Sequence, residues 1–138
     1  SNKAKKAVQL FDYIHSLDSQ KLADKLSLYE RELNKKIKIF IQVNIAQEHQ
    51  KSGIDLKDLK SFYEYTKNSL SLNIIGLMCL PPLGEDPDKF FYILKKSAKE
   101  LGLKELSMGM SGDYEKATLN ESTYLRLGTA ILGKRVTI

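Results

Sequence analysis

Two dense apolar runs constrain this chain more than anything else in it: "IKIFIQVNI" (37–45) and "LNIIGLMCL" (72–80), with a helically patterned stretch between them. A run with almost no polar alternate positions is a strand covered on both faces. Such strands belong to parallel sheets whose crossovers are helices. The rest of the chain repeats the alternation. "FDYIHSLD" (11–18) is a shorter strand, and the stretch after it sets Leu22, Leu26, Tyr29 and Leu33 at helical spacing behind Asp18 or Ser19 as cap. "DLKDLKSFYEYTKNS" (55–69) puts Leu56, Leu59, Phe62 or Tyr63, and Thr66 on one helical face. Asp86-Pro87 opens a helix carrying Phe90, Leu94, Ala98 and Leu101, which Gly102 is suited to end. "KELSMGM" (104–110) predicts a strand, "DYEKATLNE" (113–121) a short helix and "TYLRLG" (123–128) a last strand.

Strand–helix repeated four times and closed by a strand implies one parallel sheet with right-handed crossovers. An open doubly wound sheet and part of a (β/α) barrel both satisfy that order. In either, ligands bind at the carboxyl ends of the strands. The residues that fall there are His15, Asn44, the loop Lys51-Ser52-Gly53, Met78, Ser111, and Arg126 through Thr129. No Pro- or Gly-rich linker interrupts the pattern, so residues 1–138 are expected to form a single domain.

Composition excludes several classes. Hydrophobic residues make up 42% and charged residues 28%, a globular balance, and no apolar run approaches a membrane span. The net charge of +5 comes from scattered lysines with acidic residues between them, without a basic–aromatic stacking pattern. No nucleic-acid partner is expected. No metal site is expected either. Cys79, the only cysteine, lies in an apolar run, which suits packing rather than catalysis and points to a reducing, cytoplasmic setting.

Near the end, Gly109-Met110-Ser111 and Gly128-Thr129-Ala130 each follow a strand. Glycine lets a backbone approach an anion closely, and backbone N–H groups at a helix start attract it. Two such turns after the last two strands have the spacing of two walls of one phosphate cup. Each alone is an ordinary turn; the pair, in this order, predicts a seat for a phosphate, sulfate or similar anion.

"LSMGMSGDYEKATLNESTYLRLGTAILG" (106–133) resembles the C-terminal signature of the pyridoxal phosphate homeostasis proteins, relatives of the alanine racemase barrel. "SNK" (1–3), "FDYIHSLDS", "IQVNIAQEHQKSGI" and "IIGLMCLPP" match the same family in the same order, so the likeness covers essentially the whole chain. Gly112, Asn120-Glu121 and Leu132 depart from the family pattern, away from the ligand positions. The resemblance implies a partial (β/α)8 TIM barrel: five parallel strands with outer helices, equivalent to the fourth through eighth of the family barrel, as the C-terminal portion of a barrel that binds pyridoxal 5'-phosphate. It further implies that Met110 and Ser111 border the phosphate, with the Ser111 hydroxyl as donor, and that Gly128 and Thr129 add further donors. Arg126 would face the pyridine nitrogen, disfavour its protonation and weaken the ring as an electron sink. Met78 would pack near the ring, and Asn44 and His15 would line the pocket. Plainer roles stay open: an ion pair with Asp113 or Glu115 for Arg126, an interior histidine for His15, simple core for Met78.

In the family, the lysine that bonds the cofactor covalently lies on the first strand, before the position of "SNK". A truncated chain lacking that lysine is therefore expected. Lys38 and Lys104 fall at amino ends of strands and Lys51 in a loop, so none replaces it. The leading expectation is a non-catalytic binding and homeostasis protein; a racemase-like or other phosphate-handling barrel enzyme is the alternative. Five strands cannot close an eight-stranded barrel. The expected result is exposed barrel edges and an uncovered inner face containing Phe40 or Ile41, Ile75 or Leu77, and Leu125 or Leu127, met by dimerisation through these surfaces or by the missing segment as a separate piece, with a compact monomer whose first helix, around Ala4 to Leu10, folds over an edge as the alternative.

Overall fold

The computed structural model describes residues 2–47, 52–82, 84–108 and 124–125. In chain order these form α1 (Asn2–Leu10), β1 (Tyr13–Leu17), α2 (Gln20–Leu33), β2 (Lys38–Asn44), β3 (Ile54–Asp55), α3 (Leu59–Glu64), β4 (Asn73–Cys79), α4 (Asp88–Glu100), β5 (Glu105–Met108) and β6 (Tyr124–Leu125). The sheet runs β1-β2-β4-β5-β6, and every pairing is parallel. Spatial order follows chain order without reversal. A doubly wound sheet needs a switch point where the order turns back, so the barrel alternative holds.

Two of the three helix ends flagged in the sequence are built as their residues require. Ser19 caps α2 by accepting the Leu22 N–H at 3.1 Å. Gly102, with φ +74°, ends α4, and the Leu103 N–H reaches back to the Ala98 carbonyl at 2.8 Å. Asp86 sits one residue outside its expected role. Helix α4 starts at Asp88 with Pro87 as cap, and the Asp86 carboxylate accepts the Asp88 N–H at 3.1 Å.

The helix expected across 55–69 is broken. Asp55 pairs with Asn44 in the short parallel β3, a tight turn spans Leu56–Asp58, and Tyr65–Ser69 widens into a π turn after α3. Val43 pairs with Ile54 on one flank and Cys79 on the other, so β3 takes over the side of β2 just beyond the end of β1.

The described helices cover one face. Ile14, Ile39, Ile41, Val43, Leu77, Cys79, Leu106 and Met108 share one buried cluster with Ala4 and Val8 of α1, Leu26 of α2, and Phe91 and Leu94 of α4. Phe40 and Met78 are as buried, at 0% exposure, but stand outside that cluster on the opposite, inner face. This decides between alternatives left open above. Phe40 rather than Ile41, and Gly76 and Met78 rather than Leu77, face inward. Neither Phe40 nor Met78 is uncovered, so the apolar patch expected to drive dimerisation is absent at β2 and β4. Leu125 and Leu127 lie outside the residues whose side chains are described.

The sheet curls strongly. Cα atoms of β1 and β4 come within 8 Å across the intervening β2, whereas two flat inter-strand steps span about 9.6 Å. Irregular pairing flanks Phe40 on both sides. Residues 15 and 16 of β1 are opposed by one residue of β2, and so is the Ile75–Gly76 pair of β4. Bulges of this kind bend a strand and sharpen its twist. Gly76 also permits a close approach: a Cβ there would lie 2.1 Å from the Glu105 carbonyl oxygen.

Candidate functional site

The inner face is polar where the outer face is aliphatic. Register places Gln42, Met78 and Ser107 in one row across β2, β4 and β5, with Phe40, Gly76 and Glu105 one step nearer the amino ends. Asn44 stands one step beyond Gln42, at the carboxyl end of β2. Gln42, Asn44, Met78 and Ser107 are all buried, with Met78 and Ser107 at 0% exposure.

His15 projects into this row from β1 and is half-buried. Its ring stacks on Phe40 at 4.3 Å between centroids and 25° between planes. Its Nδ1 lies 2.7 Å from the Ser107 hydroxyl, across 92 positions in sequence. A side chain on β1 meets one on β5, three strands along, only because the sheet is curled. Asn44 donates through Nδ2 to the Asp55 carboxylate at 3.2 Å, tying β2 to β3. Gln42 donates to the Ser52 carbonyl at 3.5 Å, a long bond. Gly53, at φ +121°, packs so tightly on β2 that a Cβ would sit 2.6 Å from the Asn44 nitrogen.

Of the residues singled out in the sequence, His15, Asn44 and Met78 therefore share the inner face. Met110, Ser111, Arg126, Gly128 and Thr129 lie outside the described residues, as does Lys51. Sequence reasoning passed over Gln42 and Ser107. A signal for them exists: counting every second residue from Asn44 gives Gln42, and from Gly109 gives Ser107.

Among the described residues, a small cavity of about 70 Å³ opens at this end against Gln42, Asn44, Ser52 and Leu80. That is room for water or a small polar group, well below the ~300 Å³ of an ordinary small-molecule pocket. Larger hollows of about 310, 350 and 480 Å³ lie elsewhere: beside the carboxyl end of α2, at the amino end of the sheet, and between α2 and α3. Volume and position disagree here. Position has the stronger physical warrant, since the strand carboxyl ends are where this architecture binds ligands.

Among the described residues Lys38 is the only lysine inside a strand, and it is the first residue of β2, with its Nζ 5.2 Å from the Tyr13 ring centre. Burial pushes the Cys79 thiol far above its usual range, which makes it inert as a nucleophile. No cluster of metal-ligating side chains occurs among the described residues, and no described helix is long and apolar enough to cross a membrane.

The chain resembles the pyridoxal phosphate homeostasis protein of Synechocystis sp., at 40% identity over 145 residues, and that of Aquifex aeolicus, at 35% over 144. These alignments cover 99% and 98% of this chain and 66% and 63% of those relatives, so the chain spans about two thirds of their length. PipY of Synechococcus elongatus, solved without and with pyridoxal phosphate, superposes with TM-scores of 0.86 and 0.84 at 37% and 36% identity, over 96% of this chain and 66% of PipY. Alanine racemase from Bartonella henselae, at 22% identity and a TM-score of 0.69, covers 99% of this chain and 42% of its own, and shares the fold. The sequence profile of the alanine racemase N-terminal domain matches residues 1–136, and with a curled, sequentially ordered parallel sheet behind that match, the chain belongs to the alanine racemase N-terminal domain family.

Proposed function

We propose that this chain forms part of a pyridoxal 5'-phosphate-binding barrel in a protein of intracellular cofactor homeostasis. The observation that carries the reading is the inner-face row: a thioether flanked by amide, hydroxyl and imidazole groups at the carboxyl ends of the strands. Such a row fits an aromatic ring bearing oxygen substituents, because Met78 offers apolar contact while Asn44 and His15 supply hydrogen bonds at its edges. Ser111, Gly128 and Thr129, with Met110 between the turns' glycine and serine, are proposed to seat the phosphate, and Arg126 to face the ring nitrogen. When bound, the cofactor supplies a reactive aldehyde; the residues named here bind and orient it. A cytoplasmic setting accords with the lone, buried Cys79.

The proposed role is binding rather than catalysis. Relatives matched over nearly the whole chain are called homeostasis proteins, and no described lysine lies at a strand's carboxyl end to bond the aldehyde. Titration of the 138-residue chain with pyridoxal phosphate is expected to give saturable binding. Borohydride reduction and intact mass measurement are expected to show no stoichiometric adduct. Ser111→Ala in the full-length protein is expected to weaken binding by about 1–2 kcal/mol, the scale of a lost hydrogen bond to a charged group. An unchanged dissociation constant removes Ser111 from the site. Exchange of the alanine α-proton by the full-length protein in deuterated water at turnover-like rates would transfer it to the racemase-like class. Sedimentation at micromolar concentration tests association through the β1 edge, since β1 pairs only with β2 among the described strands.

A further inference from the structure

Gln42 carries more hydrogen-bonding capacity than the fold around it uses. It stands in the inner-face row with Met78 and Ser107 and is 7% exposed. A carboxamide has two N–H donors and two acceptor lone pairs. Among the described residues one of these is used: Nε2 donates to the Ser52 carbonyl at 3.5 Å, beyond the ordinary range. That bond sets the orientation of the amide, because a carbonyl can only accept and must face the nitrogen. Oε1 and the second N–H are left over. A core position that needs only volume is served by an apolar residue, and a buried amide with unmet capacity costs stability. The cavity of about 70 Å³ borders Gln42 and Ser52 at the carboxyl ends of the strands. It admits a small polar group and no ring.

We propose that Gln42 is a specificity-determining residue of the inner face that takes a ligand hydroxyl, donating its spare N–H to the hydroxyl oxygen and accepting the hydroxyl hydrogen on Oε1. A spare donor and a spare acceptor on one planar amide match a group that can both give and take, and a hydroxyl does so in a cyclic pair. A carbonyl or ionised oxygen only accepts and leaves Oε1 unmatched. Met78, next in the row, supplies apolar contact for the ring that bears the hydroxyl. Under the cofactor reading above, on which this second step rests, the group is the ring hydroxyl of pyridoxal phosphate, since its aldehyde and ionised phosphate oxygens only accept.

The contact is read without the cofactor by proton–nitrogen NMR of the 138-residue chain, following the Gln42 side-chain N–H signals, which are identified by their absence in Gln42→Leu. Phenol is expected to shift these signals, and toluene, of the same size without the hydroxyl, to leave them in place. Equal responses to the two probes, or none to either, overturn the hydroxyl contact. Titration with pyridoxal phosphate and with its analogue lacking the ring hydroxyl is expected to show roughly tenfold tighter binding of the hydroxyl-bearing ligand by the wild type, the scale of two neutral hydrogen bonds. That preference is expected to vanish in Gln42→Leu and in Gln42→Met, which keeps an unbranched side chain. A preference that survives in either folded variant overturns the role of Gln42, and so does a wild type that binds both ligands equally. Wild-type chain whose Gln42 signals answer to phenol, yet which binds neither phosphate ligand, refutes the cofactor reading and leaves the hydroxyl contact standing.

Discussion

The two faces of the sheet obey different rules. The outer face is made of Ile, Val, Leu and Met side chains pressed against helices, each interchangeable in kind with its neighbours. The inner face holds Phe40, Gln42, Asn44, Gly76, Met78, His15 and Ser107, of which only the carboxamides Gln42 and Asn44 share a functional group, and most are tied to one particular partner. Non-directional burial asks only for apolar volume, so many sequences satisfy it. Buried polar groups need specific partners at fixed geometry, so few sequences do. The outer face therefore carries the stability of the fold, and the inner face carries its individuality.

The sharpest test of that division is Gly76, where an inner-face position touches backbone. In Gly76→Ala the new methyl would lie 2.1 Å from the Glu105 carbonyl oxygen, so β4 and β5 must part. The expected loss exceeds about 4 kcal/mol, in the range reserved for a named structural fault. Circular dichroism against urea would show it, and a variant with wild-type stability would mean that the β4–β5 spacing is not fixed at this point. Next comes the outer face. Leu94→Ala, at a fully buried site, is expected to lower the unfolding free energy by about 2–5 kcal/mol without altering ligand affinity. A larger effect on binding than on stability would break the proposed separation of the faces. Met78→Leu, on the inner face, conserves volume and is expected to cost under about 1.5 kcal/mol in stability, so any substantial change should appear in ligand binding instead.

The smallest effect concerns Asp18, between β1 and α2. Burial raises its carboxyl above the usual range, partly offset by a backbone hydrogen bond. A carboxyl whose folded value is raised contributes stability that is full below the unfolded value and is lost as pH rises through the folded value. Asp18→Asn is therefore expected to gain slightly on the wild type as pH climbs from strongly acidic conditions to neutrality. Parallel denaturation curves across that range would check the sign.

The outer face was legible in the sequence because density of β-branched residues survives without knowledge of neighbours. The strands, their parallel sense, the Ser19 cap and the Gly102 stop all follow from local chemistry. The break in the helix expected at 55–69 was not legible, because it depends on Asp55 finding Asn44 eleven positions earlier. Glu30 escaped for the same reason. It lies on the helical face that carries the apolar stripe, yet its carboxylate is buried to accept the Ile37 N–H at 2.8 Å and to meet Lys36. At the candidate site, the period-two pattern gives which residues face inward, but the pairing of His15 with Ser107 needs the curl of the whole sheet. Ser16, on the bulge of β1, has a buried hydroxyl with no partner among the described residues, and nothing in the sequence signals it.

The two-residue β3 has a consequence for how this chain tolerates change. Asn44 and Asp55 close a ring of chain by ladder pairing and a side-chain bond, and Gly53 is packed against the same strand. The two ends of the segment between them are thus held together. Closure entropy grows only with the logarithm of length, so doubling such a loop costs about 0.6 kcal/mol. Insertions between Ala46 and Ser52 should leave the barrel in register, whereas a single residue inserted between Gly53 and Asp55 would unfasten the clasp.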